Sequence, residues 1–320
     1  MVYYIFTWND FKAAIPGKQE MLTEGYRNMK RMLFIYNPKA GKGMIRNKLS
    51  YILEEFGKGI YEIVVHPTRE PEEAIRVVAE YGGSFDMIAC SGGDGTLNEV
   101  ITGLKRGNWT TPVGYIPAGS TNDFGSSLGI PKEMQEAARS IMTGTVFDCD
   151  LGQLNDGYFV YVAAFGVFTE VSYKTSQDSK NMLGHLAYIL EGMKSLGNIQ
   201  NWSMRFLSEQ VSGEGKFLYG MITNSNSVGG FKGITGQDVT LNDGEFEVTL
   251  IEDPENIIEW PGIINALLNG EKNKYVIAFK SSRVEFFFDE KVPWTRDGEY
   301  GGSYEHAIVI NLPKALPIIV

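Results

Sequence analysis

Between Met32 and Pro117 short apolar runs alternate with helical stripes, and this alternation restricts the chain more than any other feature. MLFIY (32–36), YEIVV (61–65), MIAC (87–90) and VGYI (113–116) are strand-sized, and the first, third and fourth lead into loops rich in Gly or small polar residues. Between the strands, Ile45, Leu49, Ile52, Leu53 and Phe56 recur at helical spacing. Ala74, Val77, Val78 and Tyr81 do the same, as do Leu97, Val100, Ile101 and Leu104. Runs that are apolar throughout need cover on both faces, and parallel strands need a crossover long enough to hold a helix. The pattern predicts a doubly wound parallel α/β domain over residues 32–150.

After Asp148 the texture changes. YFVYVAAFGVF, WSMRFLSE, GKFLYGMITN, DVTLNDGEFEVTLIED and KYVIAFKSSRVEFFFDE are rich in β-branched and aromatic residues and separated by Gly, Asn and Asp turns. They predict an antiparallel β domain over residues 151–304. Asp243-Gly244 lies between two strand-like runs, which predicts a tight hairpin at Leu241–Phe246. Helical patterns interrupt at Leu183–Leu196 and Ile257–Leu268, the second carrying Pro261. Residues 1–31 show weak periodicity and are set apart as an extension; a start at Met29 or Met32 also fits.

The 320 residues fit about two domains. Lys and Arg number 29 against 39 Asp and Glu, so the formal charge is −10 and a nucleic-acid partner is not expected. Two cysteines, Cys90 and Cys149, cannot build a disulfide framework or a four-cysteine zinc site, which fits a reducing cytoplasm. No run approaches the 18 apolar residues of a membrane span, and the N-terminus lacks a signal-peptide pattern, so a soluble intracellular protein is expected. Gly125-Ser-Ser-Leu-Gly129 matches GxSxG but lies past a helix start, not on a nucleophile elbow. His66, His185 and His306 lack metal spacing and read as structural. The stripe Leu183, Leu186, Ala187, Leu190 and Met193 reads as core, and is also the first place to look for a lipid contact.

Three loops carry the chemistry. Asn37, Pro38, Lys39, Ala40, Gly41, Lys42 and Gly43 follow the first strand and open a helix, a place where backbone can approach an anion. The spacing is neither a Walker A loop nor GxGxxG. Ser91-Gly92-Gly93-Asp94-Gly95-Thr96-Leu97-Asn98-Glu99 follows the third strand; three of the four residues from Gly92 to Gly95 are glycine, which permits an anion nest. Asp94 either holds magnesium beside a phosphate or caps the helix. Ser120, Thr121, Asn122 and Asp123 follow the fourth strand, at the sheet edge where ligands of open α/β sheets bind; Thr121 or Asp123 as a helix cap is the competing reading.

GGDGTLNEVITGL (92–104), NPKAGKG (37–43) and IPAGSTNDFGSSLGIP (116–131) resemble the soluble bacterial diacylglycerol/lipid kinases, in the superfamily of NAD kinases and phosphofructokinases. The resemblance runs through Asp150-Leu-Gly152, Gly229-Gly230, Asn242-Asp-Gly244 and Asp297-Gly-Glu299, and covers residues 32–320. It implies an ATP site between an α/β domain and a β-sandwich, with the C-terminal strand (305–320) rejoining the first domain. Implied ATP contacts are Asn37 to Gly41, Thr68, Gly92 to Glu99 and Ser120, with Thr121, Asn122 and Asp123 beside them. It further implies a structural Mg2+ on Asp243 with the carbonyls of Thr240 and Glu245, against a plain turn as the alternative. The base that takes the acceptor hydroxyl's proton is implied at Asp297 or Glu299, with Asp94 as a further catalytic carboxylate. Ser120 stands where the family often has Thr, Thr235-Gly-Gln237 departs from its usual loop, and residues 1–31 match nothing in it. The expected activity is ATP- and Mg2+-dependent phosphorylation of a lipid hydroxyl in phospholipid metabolism, in the cytoplasm with transient contact at the inner membrane face. A homodimer is left open. An NAD kinase-like enzyme and a non-catalytic nucleotide-binding regulator are the rival readings; intact carboxylates at Asp94, Asp123, Asp297 and Glu299 count against the last.

Overall fold

A computed structural model describes residues 3–5, 29–119, 122–166, 200–228, 231–232, 239–254, 256–269 and 271–320. Ser120, Thr121, the 183–193 stripe, Gly229-Gly230 and residues 235–237 lie outside the described residues. The chain divides into two compact units: residues up to Asp148 together with Leu316–Val320, and Cys149–Ala315.

In the first unit the elements alternate as β1 (Tyr3–Ile5), β2 (Lys30–Tyr36), α1 (Ile45–Phe56), β3 (Tyr61–Pro67), α2 (Glu73–Tyr81), β4 (Met87–Gly92), α3 (Asp94–Gly107), β5 (Val113–Pro117), α4 (Asp123–Ser127) and α5 (Met134–Thr143). The strand order is β1-β3-β2-β4-β5, all parallel. The connection from β2 to β3 runs one way across the sheet and that from β3 to β4 runs back past β2. With right-handed crossovers this puts α1 on one face and α2 and α3 on the other. The β2–β4 junction is therefore a switch point, where adjacent strand ends splay their loops apart. Met32, Leu33, Phe34 and Ile35 of β2 are all fully buried, as a strand covered on both faces requires. β1, from the segment set apart as an extension, pairs with β3 in register Tyr3↔Ile63.

The second unit is strand-rich: β6 (Val146–Leu154), β7 (Gly157–Phe159), β8 (Val162–Gly166), β9 (Trp202–Ser208), β10 (Ser212–Thr223), β11 (Ser227–Val228), β12 (Phe231–Lys232), β13 (Phe246–Glu252), β14 (Val276–Ser281), β15 (Arg283–Arg296) and β16 (Glu299–Ile319), with one α-helix among the described residues, α6 (Trp260–Asn269). Pro261 falls in the first turn of α6, where its missing N–H removes no intrahelical bond. β10 pairs with β9 through its first half and with β8 through its second, and against β13 its register shifts between Phe217 and Tyr219. β15 likewise pairs with β9 at Val284–Phe288 and with β8 at Trp294–Arg296, and against β16 its register shifts between Phe287 and Val292. Phe165, Trp202, Phe206, Phe217, Phe286 and Trp294 fill the core, each contributing about 1.5–3 kcal/mol over an exposed position. Ile318 and Ile319 at the end of β16 belong to the first unit and pair in parallel with Val113 and Gly114 of β5. No helix among the described residues is long and apolar enough to cross a membrane.

The expected hairpin at Leu241–Phe246 does not form. β13 pairs with β10 and β14, and Val239 and Thr240 lie outside any strand. The reason is local competition: the Leu241 carbonyl accepts from the Asp150 amide at 2.8 Å, and the Gly244 amide donates to Asp150 Oδ2 at 2.7 Å. The tight Asp-Gly hairpin of this chain is Asp297-Gly298, between β15 and β16, closed by the pair Arg296↔Glu299. Both residues have positive φ, 50° and 83°, as a two-residue turn matching the twist of its strands requires.

Candidate active site

The first unit collects three loops at the C-terminal ends of β2, β4 and β5. Asn37 N–H donates to the Ser91 carbonyl at 2.9 Å across the switch point, and Asn37 Oδ1 accepts from Lys39 N at 2.9 Å, which turns the chain into a short 3-10 turn at Ala40–Gly43. Gly41 sits at φ +54°, and a Cβ there would lie 2.4 Å from the Ala118 carbonyl oxygen, so only glycine lets this loop meet the one after β5. Thr68, just past β3, hangs on the Tyr36 carbonyl through its amide at 2.9 Å. Asn37, Gly41 and Thr68 thus share one end of the sheet.

Gly93 is the N-cap position of α3 and offers no side-chain cap, so Asp94 is the first helical residue, not the cap. A helix start built this way presents main-chain amides and the positive end of the helix dipole. Gly119 lies against it: a Cβ on Gly119 would fall 2.9 Å from Gly93 Cα. Asn122 closes the third loop on itself, accepting from Gly119 N at 2.8 Å and donating to the Gly119 carbonyl at 3.0 Å. Beneath both loops lies Tyr115, whose hydroxyl donates to the Gly92 carbonyl at 3.2 Å. Burial and the neighbouring Asp94 hold that phenol well above its ordinary pKa, so it stays protonated as a donor. Thr96, Asn98 and Glu99 follow on α3. Glu99 turns its carboxylate to the amides of Glu72 (2.9 Å) and Ala74 (3.3 Å), capping α2. Asp123 is buried in the first turn of α4. His66, fully buried, meets Glu73 at 3.2 Å, and burial lowers its pKa.

The second unit carries two acidic loops. At the β15–β16 hairpin the buried Asp297 carboxylate accepts from the amides of Val160 (2.8 Å), Tyr161 (3.0 Å) and Val162 (3.2 Å). Glu299, two residues on, is exposed. At the other loop Asp243 Oδ1 accepts from Glu245 N at 3.1 Å, and its Oδ2 lies 3.1 Å from Lys280 Nζ. Thr240 is exposed at the entry to this loop. Its anchor is Asp150, fully buried, which accepts from Gly244 N, from Asn311 Nδ2 (3.3 Å) and from Lys314 N (2.7 Å). Glu247 is buried beside Lys280 at 3.2 Å, and burial pushes its carboxyl up to about 7 despite that partner. An Asp243 carboxylate joined by the Thr240 and Glu245 carbonyls would be an all-oxygen donor set of the kind a hard divalent ion takes, and the Lys280 ammonium shows that a positive charge is accommodated at Asp243. Among the described residues no group of three or more His, Cys, Asp or Glu is gathered so as to hold a metal ion.

Sequence reasoning did not single out Tyr115, Gly119, Asp150 or Lys280. Tyr115 was legible as a polar residue in an otherwise apolar strand, VGYIP; Asp150 was not, because its strand also carries Asp148 and Gln153.

A parallel sheet with helices on both faces and three loops gathered at its switch point places the first unit in the class of doubly wound α/β domains. The family model for the diacylglycerol kinase catalytic domain matches residues 31–154. The chain is 36% identical over 296 residues to diacylglycerol kinase of Bacillus subtilis (strain 168), covering 91% of this chain and 97% of that one. It is 33% identical over 292 residues to diacylglycerol kinase of Staphylococcus carnosus (strain TM300), covering 90% and 94%. A crystal structure of a diacylglycerol kinase from Bacillus anthracis str. Sterne shares the fold, with TM-score 0.70 and 20% identity over 91% of this chain and 97% of that one. The chain belongs to the diacylglycerol kinase family: it is a lipid kinase that transfers a phosphoryl group from ATP to an alcohol acceptor.

Proposed function

We propose that the chain phosphorylates the free hydroxyl of diacylglycerol, with Glu299 as the base. The observation that carries this reading is the division of labour at the β15–β16 hairpin. Asp297 spends its carboxylate on three backbone amides, while Glu299 stands exposed beside it. In the reaction the acceptor oxygen bonds to the γ-phosphorus as its proton passes to Glu299, and the bridging P–O bond breaks to release ADP. Such transfer needs mostly positioning and charge neutralisation. The loops at 37–41, 92–99 and 119–123 are read as the triphosphate cradle, with Thr68 at their side and Asp94 and Asp123 as acidic groups beside the phosphates. Asp243, Thr240 and Glu245 are read as the Mg2+ loop; when bound, the ion supplies positive charge that fixes the loop. The second unit is read as an antiparallel sandwich. The bulged strands β10 and β15, each pairing with β9 in one half and β8 in the other, support two layers joined at bent strands. A bilayer-resident substrate brings transient contact with the inner membrane face.

The test is a substrate panel. The purified chain, ATP and Mg2+ are offered diacylglycerol, phosphatidylglycerol, sphingosine and NAD in parallel, and labelled phosphate is followed into each product. Transfer to diacylglycerol is expected to dominate. Transfer to NAD, or to another lipid with diacylglycerol untouched, overturns the assignment.

A further inference from the structure

Lys280 and Glu247 face each other directly across the β13–β14 pair, so strand register places them side by side. The same ammonium also reaches Asp243, at 3.1 Å from Oδ2, while it lies 3.2 Å from Glu247 Oε1. The other oxygen of Asp243 is committed to the Glu245 amide. Oδ2 is thus the oxygen through which Asp243 would hold a metal ion, and it is the oxygen that Lys280 covers. Two carboxylates sharing one half-buried site repel unless a cation lies between them.

We infer that Lys280 is a built-in competitor for the divalent-ion loop. Its ammonium neutralises Asp243 when no ion is bound, and gives up Asp243 to the ion while keeping Glu247. The loop then stays folded in both states, because Asp150 holds Gly244 from below regardless of the ion. The ion must displace a positive charge to enter, so Lys280 sets the concentration at which the loop fills. The inference rests on the reading of Asp243 as an ion ligand.

The test measures ion binding directly. Mn2+ is titrated into the full chain without nucleotide and its free concentration read by electron paramagnetic resonance, with Mg2+ as the competing ion. Wild type, Lys280→Met, Lys280→Met/Glu247→Gln and Asp243→Asn are compared. Removing the ammonium is expected to tighten Mn2+ binding by about tenfold, a modest fraction of the repulsion between close charges at a protein surface. Thermal melts should show Lys280→Met falling below wild type in EDTA, with the gap narrowing in saturating Mg2+. The double variant removes the buried carboxylate that the single one strands, so it decides the matter if Lys280→Met folds poorly. Loss of the site in Asp243→Asn, with no tightening in either lysine variant, overturns the competitor role and leaves the ion site standing. An unchanged site in Asp243→Asn overturns the ion-site reading itself.

Discussion

A carboxylate that accepts the amides of Val160, Tyr161 and Val162 has its lone pairs turned into the protein, and Asp297 is in that position. Glu299 has no such commitment to the backbone, and its longer side chain leaves the hairpin toward solvent. Glu299→Gln is therefore expected to fold and bind ATP as wild type does, with phosphoryl transfer lower by about 10²–10⁴-fold. Asp297→Asn presents an amide where amides are accepted, and should cost about 2–4 kcal/mol of stability in urea unfolding. Its activity should track the folded fraction. A folded Asp297→Asn protein with a catalytic loss as deep as that of Glu299→Gln would reverse the two roles. The sequence showed both acids and their Asp-Gly turn but not which one the backbone holds, because the amides that decide it lie more than a hundred residues away. Asp150 was hidden for the same reason: its partners at Gly244, Asn311 and Lys314 come from two distant segments.

At the level of elements, periodicity placed the strands β2 to β5 and the helices α1 to α3, since each buries a largely apolar face; the exceptions, such as Glu55 on α1 and His66 on β3, are buried polar residues with partners of their own. The Asp-Gly signal at 243–244 makes no hairpin because hairpin sequence is local while the bonds of the Leu241–Glu245 loop go to Asp150 on another strand. Nor does any pattern announce that β10 and β15 change partners midway; those shifts come from tertiary pairing. Helix α1 is tied to α5 through Glu55, which accepts from Arg139 at 3.1 Å and Gln135 at 3.0 Å on α5, and from Lys58 at 2.6 Å. The Arg139 hydrogen bond, then those of Lys58 and Gln135, hold the Glu55 carboxyl at about 2, below its ordinary 4.5. A depressed carboxylate stabilises the fold only while it is ionised, so this contribution is complete above pH about 4.5 and is lost as pH falls toward about 2. Water screens the exposed Arg139 and Lys58, which keeps the effect small. Glu55→Gln should accordingly be less stable than wild type at pH 7, and the two urea midpoints should converge as pH falls to about 2. A gap that stays constant over that range would assign the difference to packing and not to charge.

For the whole molecule the dominant physical quantity is a formal charge of −10 on a lipid kinase, and it bears on the membrane contact proposed above. The densest basic cluster is Lys39, Lys42, Arg46 and Lys48, and it is weaker than its composition suggests, because Lys48 is paired with Glu133 at 3.0 Å. The phosphate-binding reading claims part of the rest. An anionic surface attracts about 1 kcal/mol per nearby Lys or Arg and repels acidic residues on a similar scale, over a Debye length of about 10 Å at 0.1 M salt. The balance of this chain lies on the repulsive side. In vesicle flotation without ATP, raising phosphatidylglycerol from none to about half of the lipid should lower the bound fraction by about two- to fivefold at ~50 mM salt, and the difference should vanish near ~0.5 M, where the Debye length shortens to about 4 Å. Adding Mg2+ at constant ionic strength should recover part of the binding, because divalent ions reduce the surface potential. Apolar contact with the acyl region would survive high salt, so a constant residual bound fraction measures that component separately. Binding that instead rises with phosphatidylglycerol and falls with salt would mean that the Lys39–Lys48 cluster faces the bilayer. In that case Lys39 and Lys42 serve the membrane before they serve the phosphates, and Lys39→Gln should weaken vesicle binding more than it raises the KM for ATP.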